Sequence, residues 1–284
     1  MNFYLKERGP DHQGYWIEDN LGFAHSRLSI IDLSNLGNQP MSDKDGIVHI
    51  TYNGEIYNYK ELQKELINKG IKFRGNSDTE VLIYGFLEWG MDRLLKKTNG
   101  MFAFSLWDSR DNCCYLARDR FGQKPLYYFQ SEKELIFSSD IRSIWSIKRG
   151  SLNLDYESLD YYLSELSTPQ PKTIWKEIKQ VKPSYYYKFQ NEKKVTEQKY
   201  WHLDYSKKIN ISFEEAVEET ERLLTKAILK RTVSDVPIGA FLSGGVDSGL
   251  VCSLLAKNTS LPINSFSVGL SDNTDMNELP EARI

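Results

Sequence analysis

The sequence predicts two different folds in series: a layered α+β sandwich over the first two-thirds, then the opening of an α/β domain with a parallel sheet. Three observations carry this. Aromatic residues make up 13% of the 284-residue chain and crowd its first part in short β-type runs. Helical patterns interrupt those runs in blocks, with no strict βαβ alternation. Beyond Ser206 the pattern becomes strand, tight turn, helix, strand, which is a βαβ unit.

The elements follow in order. His49–Tyr52, Met101–Trp107, Cys113–Ala117 and Leu126–Phe129 read as strands. Turn signals at Asn53-Gly54, Asn99-Gly100, Ser109–Asn112 and Phe121-Gly122 separate them. Tyr59, Leu62 and Leu66 predict a helix over Tyr59–Asn68 that stops at Gly70. Ser77-x-x-Glu80 spells a capping box, and a second helix follows with Leu82, Phe86 and Trp89 inward. Lys172–Phe189 reads as further strand and Gln190–Gln198 as a polar spacer. Ser212-x-x-Glu215 is another capping box, opening a long helix that carries Phe213, Val217, Leu224 and Ile228. Pro237–Leu242 reads as a buried strand, and the helix after the glycine turn bears Leu250, Val251, Leu254 and Leu255. Ile263–Val268 is a second strand, and Leu279–Ile284 begins to look helical. The domains expected are 1–205 and 206–284.

Composition narrows the function. A net charge of −3 gives no electrostatic footprint for nucleic acid, and no apolar run is long enough to span a membrane. MNFYLKERGP reaches charge and proline too early for a signal peptide. Cys113, Cys114 and Cys252 make neither a disulfide framework nor a zinc site, so a reduced, cytoplasmic setting is expected.

The strongest chemical signal is Ser243-Gly244-Gly245-Val246-Asp247-Ser248, between a strand and a helix, where free N–H groups and the positive helix end attract an anion. Two glycines let the backbone approach closely, and Ser243 and Ser248 add hydroxyls. No lysine follows, so this is not the common G-x-x-x-x-G-K-[ST] loop. SGGVDS resembles the pyrophosphate loop of ATP pyrophosphatases, and the longer Ser234–Gly249 resembles asparagine synthetase of the glutamine-hydrolysing type. The resemblance implies an adenine nucleotide α-hydrolase-like domain that binds ATP through Leu242, Ser243, Gly244, Gly245, Asp247, Ser248 and Val268. Asp247 is a candidate Mg²⁺ ligand there, with a helix-cap role as the alternative.

The front half resembles the glutaminase domain of the same family in Arg8-Gly9-Pro10-Asp11, Arg27-Leu28-Ser29-Ile30-Ile31-Asp32, Asn53-Gly54-Glu55, Ser77-Asp78 and Ala117–Tyr128, in the family's order. The implied fold is an N-terminal-nucleophile α-β-β-α sandwich. Glutamine offers a carboxylate, an ammonium and an amide. Arg27 can pair bidentately with the carboxylate. Asp78 can take the ammonium, although an acid in a first helical turn also suits the dipole. Glu55 assists it. Asn53 and Gly54 match the family's oxyanion hole, against the plainer reading of a hairpin turn. Leu28, Ser29, Ile30 and Ile31 complete the expected pocket.

Other residues are expected to be structural: His25 packed or hydrogen-bonded, Asp32 in a turn or at a strand end, Arg118, Asp119 and Arg120 forming ion pairs that shape a turn, and the three cysteines core or half-buried thiols. The family's nucleophile is an N-terminal cysteine. This chain begins Met1-Asn2-Phe3 with its first motif already at Arg8, so the resemblance implies that the nucleophile cysteine is absent and that both ends are cut. The implied reaction converts aspartate to asparagine with ammonia from glutamine, releasing AMP and pyrophosphate. An amidotransferase for another carboxylate and a non-catalytic remnant are the alternatives. Expected partners are glutamine, aspartate and ATP, without nucleic acid or membrane, and with a homodimer left open.

Overall fold

The computed structural model describes residues 1–191, 193–259, 263–269 and 278–283. The chain divides into two units, Met1–Leu203 and Asp204–Ile284. Parts of the expected spacer, of the last expected helix and of the resembling stretch 262–284 lie outside the described residues.

The first unit opens with the hairpin β1 (His12–Glu18) and β2 (Leu21–Arg27). β3 (Met41–Ser42) and β4 (Val48–Ile56) precede the helices α1 (Tyr59–Asn68) and α2 (Asp78–Lys97). β5 (Gly100–Asp108), β6 (Cys113–Arg118), β7 (Tyr127–Gln130) and β8 (Leu135–Ser138) lead to α3 (Ile141–Lys148) and α4 (Tyr156–Glu165). β9 (Ile178–Gln180), β10 (Tyr185–Gln190) and β11 (Lys193–Lys199) finish the unit. The main sheet has the order β11-β10-β6-β5-β4-β3, a smaller one β8-β7-β9, and β1-β2 pair alone.

Side-chain alternation along the strands stacks these into layers. Ala103, Leu116, Tyr187 and Phe189 of the main sheet pack against Tyr128, with Leu135 and Phe137 beside them, from the smaller one. Tyr115, next to Leu116 and on the opposite face, meets the Phe86 ring of α2. α1 packs on α2, α2 on β4, and α3 on β7 and β8, so the order is helix, sheet, sheet, helix. α1 buries Tyr59, Leu62 and Leu66 as its spacing requires, and Gly70 ends it at φ +89.

Four expectations need correction. Asn53-Gly54 is no turn but lies within β4, opposite Ala103 and Phe102 of β5. Ser77 caps Thr79 N–H, yet Glu80 does not return to Ser77; its carboxylate accepts from Arg74 N–H and Gly75 N–H instead. The polar spacer contains an edge strand, β11, whose Lys193, Lys194 and Lys199 suit a position that must not pair further. Pro237–Leu242 is not a buried strand.

In the second unit α5 (Phe213–Lys230) begins with a reciprocal capping box between Ser212 and Glu215. β12 (Gly239–Phe241), α6 (Val246–Asn258) and β13 (Asn264–Phe266) form a parallel βαβ unit, and α7 (Leu279–Ala282) is a single turn. The Phe241 side chain is 80% exposed, because among the described residues nothing covers that face of the two strands. Among the described residues no helix is long and apolar enough to cross a membrane.

One buried carboxylate fixes the β6–β7 connection. Asp119 is fully buried and accepts hydrogen bonds from the N–H groups of Phe102, Phe121, Gln123 and Lys124 at 3.0–3.2 Å. Asp119→Ala leaves four donors without it and is expected to lower stability by about 2–4 kcal/mol in urea denaturation. A loss below about 1 kcal/mol would contradict this role.

Candidate functional site

A cavity of about 920 Å³ opens in the first unit. β2 lines it with Arg27, the loop after β2 with Leu28, Ile30 and Ile31, β4 with Asn53, Gly54 and Glu55, and the head of α2 with Asp78. Of the pocket residues expected from the sequence, Ser29 alone is not in the wall; its N–H donates to the Asp11 carboxylate at 2.7 Å.

The donor geometry follows from strand pairing. Past Ile50, β4 pairs only with β5, and its other edge opens toward the cavity. Along that edge Tyr52 N–H donates to Gln39 Oε1 at 2.7 Å and Ile56 N–H to Asp78 Oδ2 at 3.0 Å. N–H direction alternates every residue, so Gly54 N–H points to the same open edge. Gly54 has no substitute: a Cβ there would lie 2.2 Å from Met101 O and 2.8 Å from Phe102 Cα.

Two carboxylates sit beside this edge. Asp78 is buried, and desolvation pushes its pKa up to about 6 despite hydrogen bonds from Ile56 N–H and Tyr52 O–H; the Glu55 charge pushes the same way. Burial also raises Glu55, opposed by the Lys124 ammonium, another wall residue. The site therefore concentrates negative charge that a cation would relieve.

Arg27 differs from expectation. Its Nη1 donates to Ser34 O at 2.9 Å and Asn38 Oδ1 at 2.8 Å, and its Nη2 to Ile31 O at 3.2 Å and to Asp32 O. Both terminal nitrogens are thus engaged by the 31–38 loop, so no ready bidentate fork faces the cavity. The reason is burial: a guanidinium removed from water must find oxygen partners within the protein. Asp32, expected to be a turn residue, is one, at φ +56, yet its carboxylate also reaches Asn76 N–H at 2.8 Å. No sequence spacing signals that contact across 44 residues. Lys124, within the Ala117–Tyr128 motif, is a wall residue that the motif does not single out.

His25 also lines the cavity; burial lowers its pKa to about 4, and the neutral ring donates to Tyr52 O at 3.1 Å. The cysteines do not line the cavity. Cys113 and Cys114 lie on β6, where burial raises the Cys114 thiol to about 11, and Cys252 lies on α6.

In the second unit, Gly245 is the N-cap of α6 and no side chain caps that end. Asp247 is in the first turn, so the helix-cap alternative is not realised, and among the described residues its carboxylate has no hydrogen bond or ion pair. Ser243 N–H and Ser248 Oγ are 3.2 Å apart, and the two serine hydroxyls 3.1 Å. Gly244 has φ +81, and a Cβ there would lie 2.6 Å from Glu281 Cβ. Leu242 N–H pairs with Phe266 O at 2.9 Å, and Val268 follows β13, 81% exposed. An uncapped helix end, a left-handed glycine and two hydroxyls fit a phosphate group.

A pH test follows from Asp78. Its folded pKa exceeds the ordinary carboxylate value, so the folded state binds the proton more tightly, and stability falls as pH rises from about 4 to about 6. Asp78→Asn can still accept from Tyr52 and Ile56. It is expected to gain roughly 2–3 kcal/mol over wild type at pH 7.5 and little at pH 4, measured by denaturant unfolding. Equal stabilities at both pH values would refute the assignment.

Residues 1–201 match the family model for the glutamine amidotransferase domain, and residues 219–284 the model for asparagine synthase. Glutamine-hydrolysing asparagine synthetase 1 of Bacillus subtilis is 37% identical over 269 residues, covering 95% of this chain and 42% of that protein. Putative glutamine-hydrolysing asparagine synthetase 2 of Methanocaldococcus jannaschii is 35% identical over 306 residues, 100% of this chain and 58% of that protein. Amidase chry2 of Gibberella zeae is 35% identical over 268 residues, 90% of this chain and 39% of that protein. The chain thus spans about two-fifths to three-fifths of the length of these curated relatives. With a layered α+β unit followed by a βαβ unit, matched in that order by the two family models, the chain belongs to the glutamine-hydrolysing asparagine synthetase family.

Proposed function

We propose that residues 1–205 bind glutamine for ammonia release and that residues 206–284 hold the phosphates of ATP for activation of a carboxylate, that of aspartate. The observation that supports this reading is one cavity combining the Gly54 N–H edge, Asn53 and the two carboxylates Glu55 and Asp78. Asp78 and Glu55 take the glutamine ammonium, which also relieves their mutual repulsion. The amide carbonyl lies at Asn53 Nδ2 and Gly54 N–H, donors that stabilise the oxyanion formed on attack. The carboxylate lies against the loop held by Arg27 and must draw one terminal N–H away from a loop oxygen. None of Cys113, Cys114 and Cys252 lines the cavity, so none is the attacking group.

In the second half, Ser243, Gly244, Gly245 and Ser248 hold phosphate oxygens, while Leu242 and Val268 contact the nucleoside. Asp247 would hold Mg²⁺, which supplies positive charge to the phosphates when bound. The whole reaction is ATP, aspartate, glutamine and water giving asparagine, glutamate, AMP and pyrophosphate. The fungal amidase relative supports a second reading, an acceptor carboxylate other than aspartate.

Thermal unfolding with glutamine tests the pocket. At a hundredfold Kd, glutamine adds about 2.7 kcal/mol and raises the melting temperature by several degrees. That shift should shrink as pH falls through about 6 and Asp78 takes up a proton. Asp78→Asn should abolish it while leaving the unliganded protein at least as stable. A wild-type shift retained by this variant would sink the assignment. Residues 1–284 are expected to release glutamate no faster than background; release abolished by Cys113→Ala, Cys114→Ala or Cys252→Ala would show a nucleophile among them.

A further inference from the structure

The two walls of the proposed glutamine pocket come from distant parts of the chain, the loop after β2 and the turn before α2. Asp32 joins them. Its Oδ2 accepts from Asn76 N–H at 2.8 Å, and its Oδ1 from Ser34 N–H at 3.1 Å and Ser34 O–H at 2.5 Å. Its own carbonyl accepts from the Arg27 guanidinium. The residue is buried and left-handed at φ +56, a conformation that Asp tolerates better than most side chains. Gly75 permits the approach, since a Cβ there would lie 2.7 Å from Asp32 Oδ2.

What Asp32 does can be separated from what holds α2. The turn before that helix has its own anchors: Arg74 N–H and Gly75 N–H both donate to Glu80, and Ser77 caps Thr79. The loop after β2 has Arg27 and the Asp11–Ser29 bond. Each wall therefore has anchors besides Asp32, which adds its bonds to Ser34 and the tie to Asn76. A longer second tie runs from Gln39 Nε2 to Thr79 Oγ1 at 3.3 Å, so the Asp32 link sets the spacing between the two walls without being needed to hold α2.

We infer that Asp32 is a positioning residue that locks the wall facing the amino-acid carboxylate to the wall carrying Asp78, so that both ends of one ligand meet a preset spacing. The inference rests on the glutamine reading of the cavity. A preset spacing removes an ordering cost that only a ligand gripping both walls would otherwise bear.

Calorimetric titration of the whole chain with three ligands tests it: glutamine, glutaramate (which lacks the ammonium) and 4-aminobutanamide (which lacks the carboxylate). Asp32→Asn keeps the shape and tolerates the left-handed backbone, but turns one acceptor into a donor facing Ser34 or Asn76. Glutamine should bind tenfold or more weakly, while each half-ligand changes less than twofold. Gly75→Ala, which presses on Asp32 from the side, should give the same pattern and serves if the first variant folds poorly. Unchanged glutamine binding, or equal weakening of all three ligands, overturns the inference and leaves Asp32 a turn residue. Loss of glutamine binding in Asp78→Asn alongside unchanged binding in Asp32→Asn would sink this inference alone. Failure of the wild type to bind glutamine removes the pocket reading and this inference with it.

Discussion

A buried backbone must pair its N–H and C=O groups, and in the unit Met1–Leu203 the cavity lies along a strand edge where a neighbouring strand stops short. β4 runs from Val48 to Ile56, but its outer neighbour β3 covers only its first part. Beyond that point Gln39 satisfies Tyr52 N–H and Asp78 satisfies Ile56 N–H. Gly54 between them faces open space. Gln39 and Asp78, both on the cavity wall, supply the partners that this edge lacks.

The supports carry charge because charged acceptors make stronger hydrogen bonds than neutral ones. Asp119 gathers the loop that delivers Lys124 to the wall, Glu80 and Asp32 together gather the three N–H groups of Arg74, Gly75 and Asn76, and Asp11 holds Ser29. Asp78 stands apart. It receives hydrogen bonds from Tyr52 O–H, Ile56 N–H and Thr79 N–H, yet full burial next to another acid keeps its proton affinity raised.

The second unit has the opposite character. Its loop is built from small residues and an uncapped helix end, and the two strands that frame it are exposed. The phosphate site proposed there rests on backbone dipoles, which need only a strand, a turn and a helix to be set in line. A short βαβ segment can therefore hold the whole loop proposed for phosphate, whereas the lining of the first unit's cavity is drawn from Met1 to Arg142.

That contrast governs what could be read in advance. Local rules were enough for α1, with Tyr59, Leu62 and Leu66 on one face and Gly70 at its end, and for the Ser212–Glu215 cap. The loop Ser243–Ser248 was legible because its strand, turn and helix signals lie in consecutive residues. Motif resemblance brought Asn53, Gly54, Glu55 and Asp78 forward, and the fold sets them in one wall. Local rules failed at Asn53-Gly54, where turn chemistry was overruled by nine residues of pairing with β5, and at β11, where a polar run is held by β10. The partners of Arg27 and the reach of Asp32 to Asn76 were decided only by tertiary structure, because a buried charge takes whichever oxygens or N–H groups folding brings near, and sequence separation places no limit on which those are.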